Sequence, residues 1–323
     1  SIGWVFILAF FFLSRISCRF FLDKMVQEDI MSWIAQHVSY QVQWQTDVLL
    51  FIQSLRNDPL SVFFYFVSNI GQTSCYMAAV CVIFWCVNKR AGYFLGFSVV
   101  AAGLVNMGLK GAFQIPRPYG HAGLVPVEHP VSVLETGYSF PSGHSTGAGS
   151  FWLALYLAFR KRWIAVLSIC MMLLIPLSRL YFAVHTPIDV TTGLVLGSLT
   201  ALGVCALLCS SGKKGKYLPL VPLVVFAAAG FFAHHPYYWA GFGSLAGLTA
   251  GYYIETEAIR FEMTGKTSRI VFRLVIGFAG AALLGPLLEA VLPGTPVSAA
   301  FRSFCLGLWI TAGAPALFSK FRI

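Results

Sequence analysis

Charge is what this sequence has least of. Only 11% of its 323 residues are Asp, Glu, Lys or Arg, while 58% are hydrophobic; an average soluble domain carries about 25% charged residues. That scarcity excludes an ordinary water-soluble domain. Acidic residues are rarer than basic ones, 12 against 22, giving a formal net charge of +10. The basic residues fall in short clusters between apolar runs, which is the pattern of membrane topology rather than of a nucleic-acid surface; nucleic acid is not an expected partner. A metal-type Cys-x-x-Cys pair is lacking, so the eight cysteines read as small apolar helix residues, and no metal or disulfide framework is expected. A soluble domain, an internal repeat and a low-complexity linker are also lacking. The opening SIGWVFILAFFFLSRISCRFFLDK has no initiator Met, no small-residue cleavage site after a basic start, and not the ~20 uninterrupted apolar residues of a comfortable span. Met25 is the expected start, with residues 1–24 foreign to the native chain.

What remains is apolar sequence. Runs at 60–88, 91–112, 143–159, 163–179, 186–209, 217–233, 237–254, 270–292 and 297–317 predict an all-α, polytopic transmembrane helical bundle of about nine spans. The first run is too long for one straight helix and contains Gly71, so a broken helix is expected there. Residues 45–57 look amphipathic and suit the membrane interface. Gly193 and Gly197, then Gly243, Gly247 and Gly251, recur every four residues and predict close helix packing. The chain divides into an amino-terminal segment 1–59, a core 60–209 and further transmembrane helices 210–323.

Basic clusters at 89–90, 160–162, 213–216, 260–273 and 320–322 each follow an odd-numbered run, so all lie on one side, which the positive-inside rule makes cytoplasmic. From residue 60 onward the other side carries Lys110, Arg117, Arg179 and, near a span end, Arg302. Three of those four belong to one constellation. KGAFQIPRP supplies Lys110 and Arg117; FPSGH supplies Ser142, Gly143 and His144; SRLYFAVHTPID supplies Arg179, His185 and Asp189. Helices that alternate in direction bring these three stretches to one membrane face.

Those parts suit phosphoryl transfer. A phosphate monoester spreads negative charge over its oxygens in the transition state. Two guanidinium forks match those oxygens, with Lys110 as a point charge. Ser142 is a good helix N-cap and Gly143 allows close backbone approach, so the helix start would bind an anion. His185 and Asp189 lie four apart, on one helical face. The carboxylate would keep one imidazole nitrogen protonated and free the other to attack phosphorus, while His144 would protonate the leaving oxygen. In the outer loops His121, Glu128, His129 and Glu135 read as solvated residues of a loop long enough to form a lid. His234 and His235 lack a third metal ligand, and Glu289 reads as a packing residue.

Lys-x6-Arg-Pro, Pro-Ser-Gly-His and Ser-Arg-x5-His-x3-Asp, in that order, resemble the type 2 phosphatidic acid phosphatase superfamily, which includes lipid phosphate phosphatases, bacterial non-specific acid phosphatases, glucose-6-phosphatase and vanadium haloperoxidases. The resemblance covers roughly residues 60–209. It implies a helical phosphatase core and a metal-independent phosphohistidine mechanism without cofactors. His185 resembles the nucleophile, Asp189 its orienting partner and His144 the general acid; Lys110, Arg117, Ser142, Gly143 and Arg179 resemble the phosphate ligands. Four further spans after residue 209 resemble glucose-6-phosphatase and the sphingosine-phosphate phosphatases more than six-span lipid phosphatases. ETGYSFPSGH resembles the first of these, whereas Asp189 is closer to the lipid enzymes.

The expectation is an integral-membrane phosphatase acting on a lipid phosphate or pyrophosphate at the extracytoplasmic face, with that lipid and the bilayer as partners, in a bacterial inner membrane. A sugar-phosphate phosphatase, a lipid phosphotransferase and, last, an anion transporter are the alternatives.

Overall fold

A computed structural model of the chain describes residues 36, 38–127, 135–209, 220–231, 233, 235–263 and 267–323. The expected start at Met25, together with Glu128, His129 and His234, lies outside the described residues. Every apolar run contains a helix. In chain order these are α1 (Gln43–Ser54), α2 (Asp58–Ile70), α3 (Thr73–Cys86), α4 (Lys89–Phe113), α5 (Gly143–Phe159), α6 (Arg162–Tyr181), α7 (Pro187–Cys209), α8 (Leu220–Gly230), α9 (Tyr238–Ile254), α10 (Thr267–Val291), α11 (Pro296–Leu308) and α12 (Ala314–Lys320). Single π-helical turns extend α9 and join α11 to α12.

The long first run breaks where Gly71 stands, into α2 and α3 bent by 53°. The reason lies in what Gly71 touches. A Cβ there would sit 2.7 Å from Ile175 Cγ2 and 3.1 Å from His144 Cδ2, so any side chain would push α6 or His144 aside. The expected nine spans are not all carried by helix length. By length and apolarity five helices cross a membrane, or six with the bent pair counted as one. α5 and α9 have 17 residues each, about 26 Å at 1.5 Å per residue against a hydrocarbon core of roughly 30 Å; α8 has 11.

α4 is the central post, with 78% of its apolar window buried. α3, α5, α7 and α9 pack around it, α5 lies along α7, and α9 along α11. The four-residue glycine spacing does bring helices together: a Cβ on Gly193 would meet the Ser142 carbonyl, and one on Gly243 the Ala300 carbonyl. The later helices are tied to the core by partly buried polar contacts. Trp85 Nε1 donates to Ile310 O at 2.9 Å, and Lys89 Nζ reaches Glu255 Oε1 at 2.7 Å. Outward faces are strongly apolar, with Val166, Leu173, Leu283 and Leu287 exposed. In water such a surface is a liability; in lipid it is the solvent-compatible one.

α1 turns its polar side inward. Gln45 and Thr46 are buried while Trp44 and Phe51 are exposed. Gln45 accepts from Ile188 N at 3.0 Å, which pins the start of α7 beside the candidate site.

Candidate active site

α4 ends in a cation, α5 begins with a cap, and the α6–α7 connection carries a histidine; all three ends meet. Lys110 sits in the last turn of α4, where the helix dipole favours positive charge. Its ammonium donates to the carbonyls of Tyr138 and Ser139, which ties α4 to the segment leading into α5. Ser142 caps α5, its hydroxyl accepting from Ser145 N at 3.4 Å, and its own N–H donates to Asp189 O at 3.0 Å. Asn106 holds the same turn from α4, donating to Pro141 O at 3.1 Å and Thr146 Oγ1 at 3.0 Å. The first turn of α5 leaves the N–H groups of Gly143 and His144 without intrahelical partners.

Asp189 is fully buried. Its Oδ2 accepts from Ser139 Oγ at 2.5 Å and Thr186 N at 2.7 Å, and lies 3.5 Å from His185 Nδ1. That arrangement fixes the ring: Nδ1 faces the carboxylate, and Nε2 faces the other way. Arg117 Nη1 bonds Val184 O at 3.0 Å and lies 3.2 Å from His185 Nε2. Arg179, buried at the end of α6, donates to Ser68 Oγ and to Glu135.

Glu135 completes the centre. Its carboxylate is bound by Arg179, lies 3.0 Å from Arg117 Nη2, and reaches His144 Nδ1 at 3.5 Å and His185 Nε2 at 3.8 Å. The two imidazoles therefore face each other across a bound oxyanion. Burial pushes the Glu135 carboxyl up, but the neighbouring His185 ring and the Arg179 guanidinium more than offset it, leaving the group well below the usual carboxylate range. His185 is shifted down: burial disfavours its cation, and Arg117 and Lys110 add to this against the opposing pull of Asp189 and Glu135. That shift favours the neutral imidazole, the form a nucleophile requires.

All eight residues expected at the site lie together. Glu135, expected to be solvated, does not stay in water; it lies among cations that the sequence leaves short of counter-charge, and that imbalance was the available signal. Ser139, Asn106, Thr186 and Ser68 have no comparable signal, being small polar residues in polar or helical sequence. His121 lies elsewhere, stacked on Tyr40 at 4.7 Å, and Glu289 pairs with Arg302 at 3.4 Å on an exposed face. Burial holds the His235 imidazole down, with Lys110 within electrostatic reach adding to it. Among the described residues no cluster of His, Cys, Asp and Glu could hold a metal ion.

Two family models match the chain: the PAP2 superfamily over residues 91–211, and the PAP2 superfamily phosphatase transmembrane extension over residues 239–323. The chain belongs to the PAP2 superfamily. It is an integral membrane protein, given the transmembrane extension and its apolar helices. Similar proteins include a lipid A 1-phosphatase of Rhizobium johnstonii, 33% identical over 40% of this chain and 52% of the relative. A probable sphingosine-1-phosphate phosphatase of Dictyostelium discoideum is 28% identical over 49% and 41%, and an undecaprenyl-diphosphatase of Sulfolobus acidocaldarius is 33% identical over 34% and 52%. The chain thus spans about half the length of the curated relatives it matches. The crystal structure of Aquifex aeolicus LpxE superposes on 52% of this PAP2 chain and 99% of its own, with TM-score 0.47 and 23% identity.

Proposed function

We propose that this PAP2 protein hydrolyses a lipid phosphate or pyrophosphate through a phosphohistidine, without metal, at the extracytoplasmic face, with residues 60–209 as the catalytic core. The observation that carries this reading is the Glu135 carboxylate held between Arg117 and Arg179 with an imidazole on either side. A carboxylate oxygen and a phosphoryl oxygen are alike as acceptors for guanidinium forks, so the cup already holds an anion where a phosphate would lie.

The reaction follows from that placement. Substrate phosphate displaces Glu135 and is gripped by Lys110, Arg117, Arg179 and the first turn of α5. The His185 Nε2 lone pair attacks phosphorus; the bond to the lipid oxygen breaks, and His144 delivers a proton to that oxygen. Water then attacks the phosphohistidine, His144 takes the water's proton, the phosphorus–nitrogen bond breaks and phosphate leaves. The named relatives that act on lipid A, sphingosine phosphate and undecaprenyl diphosphate support an amphiphilic substrate. The basic clusters expected on the opposite side support an outward-facing site, with the chain crossing the membrane about nine times. A bacterial inner membrane, with the cup facing the periplasm, is the compartment this reading assigns.

A phosphate-release panel on purified protein, with chelator present, tests the proposal. Lipid phosphates should be turned over and glucose 6-phosphate should not. Release confined to the sugar phosphate, or abolished by chelator, would overturn it.

Glu135→Gln gives a second check. Removing the competing charge should tighten inhibition by orthovanadate about tenfold, since hydrogen bonds to charged groups contribute roughly 1.5–3 kcal/mol. Weaker inhibition in this variant would show that Glu135 helps to hold the anion rather than competing with it.

A further inference from the structure

A cavity of about 870 Å³ opens beside the site, with Lys110, Gly143 and His144 at one end. That volume is at the upper end of the range for small-molecule pockets. The rest of its wall is mostly apolar, and the far side comes from helices beyond the core: Ser244 and Leu248 of α9, Phe278 and Ala281 of α10, Leu306 of α11 and Ile310. All six fall within residues 239–323, the matched transmembrane extension.

The cavity runs down α4 from Lys110 to Val99, eleven residues, or roughly 16 Å at 1.5 Å per residue. That is about half of a hydrocarbon core of ~30 Å. It therefore starts at the level of the phosphate cup and descends through one leaflet's worth of chain. On the near wall Gly103 faces open space, where a Cβ would meet nothing within 4 Å. A purely structural void would not need its polar end to be the leaving-group histidine.

We propose that this cavity is the binding site for the substrate's hydrocarbon chain, and that the transmembrane extension exists in this protein to wall it. The inference rests on the phosphatase reading and deepens it: the phosphate sits in the cup, the bond to be broken lies at His144, and the chain runs down between α3, α4 and the extension. The occupant is a single extended alkyl or prenyl chain entering from the outer leaflet.

The test uses the full chain in amphipol and a series of soluble alkyl phosphates from butyl to decyl, each below its aggregation limit. In the wild type kcat/KM should rise about fourfold per methylene, the equivalent of ~0.8 kcal/mol each, until the cavity is filled. Gly103→Phe and Ala281→Trp, from opposite walls, should flatten the series beyond the shorter chains while butyl phosphate turnover stays within about twofold of wild type. An unchanged chain-length profile in both variants would overturn the inference. Binding is read separately from catalysis with decyl phosphate brominated at its terminal carbon, which should quench tryptophan fluorescence less in Trp85→Phe, a change on the cavity wall, and less in Gly103→Phe. Quenching without turnover of any alkyl phosphate would uphold the cavity and reject the phosphatase reading; turnover without a Trp85-dependent signal would do the reverse.

Discussion

His185→Ala should abolish phosphate release, with a fall of about 10⁴-fold or more, the scale of nucleophile deletion in other covalent catalysts. The ring has no substitute: its Nδ1 side is held at Asp189 and its Nε2 side faces the bound oxyanion. Asp189→Asn keeps the shape but loses the acceptor that holds Nδ1–H, and should cost roughly 10²–10⁴-fold, by analogy with the loss of the orienting carboxylate in a catalytic triad. The pH dependence has a definite sign. Protonation of His185 removes the attacking lone pair, and the buried site shifts that protonation below the ordinary histidine value, about 6.5. The acid limb of kcat/KM in the wild type should therefore lie below pH 6.5. A limb at or above 6.5 would show that the free enzyme does not hold this imidazole neutral.

Arg179→Ala should lower kcat/KM by about 10³-fold, the lower end of what a transition-state arginine supplies in phosphoryl transfer. Arg179 is buried at the end of α6 and spends its guanidinium on Ser68 and the anion position. Arg179→Lys keeps the charge but not the planar fork, and recovery to within tenfold of wild type would deny the fork a role. Because the residue is buried, the variant's fold must be checked independently. Near-normal elution of Arg179→Lys as a monodisperse particle, combined with lost vanadate affinity, separates a failed cup from a failed fold.

Much of this was legible because lipid imposes simple rules. Helices had to form in the apolar runs, since lipid leaves no other partner for backbone groups, and Gly71 marked the break in the longest of them. The expected nine spans are not matched one for one by helices of membrane length, because apolarity does not report helix length: α5 has only 17 residues and α8 only 11. Six of the eight candidate residues were legible because cations, histidines and an aspartate are costly near a membrane face unless used; Ser142 and Gly143 were legible only through the FPSGH stretch that carries His144. Glu135 was not, since one carboxylate in a polar loop looks the same whether it faces water or folds onto two arginines. The cavity was invisible for a related reason. Gly103 and Ala281 are ordinary helix residues, and only the packing of α9, α10 and α11 against α3 and α4 shows that the space between them is empty.

A covalent bond between phosphorus and His185 distinguishes this mechanism from direct attack by water. The most direct test is rapid quenching into base, where phosphohistidine survives, after mixing with a lipid phosphate or an activated aryl phosphate, followed by peptide mass spectrometry. Phosphate should appear on the peptide containing His185, more of it in His144→Ala with the aryl ester, and none in His185→Ala. Phosphate on another residue, or full turnover with no phosphorylated peptide in any variant, would contradict it.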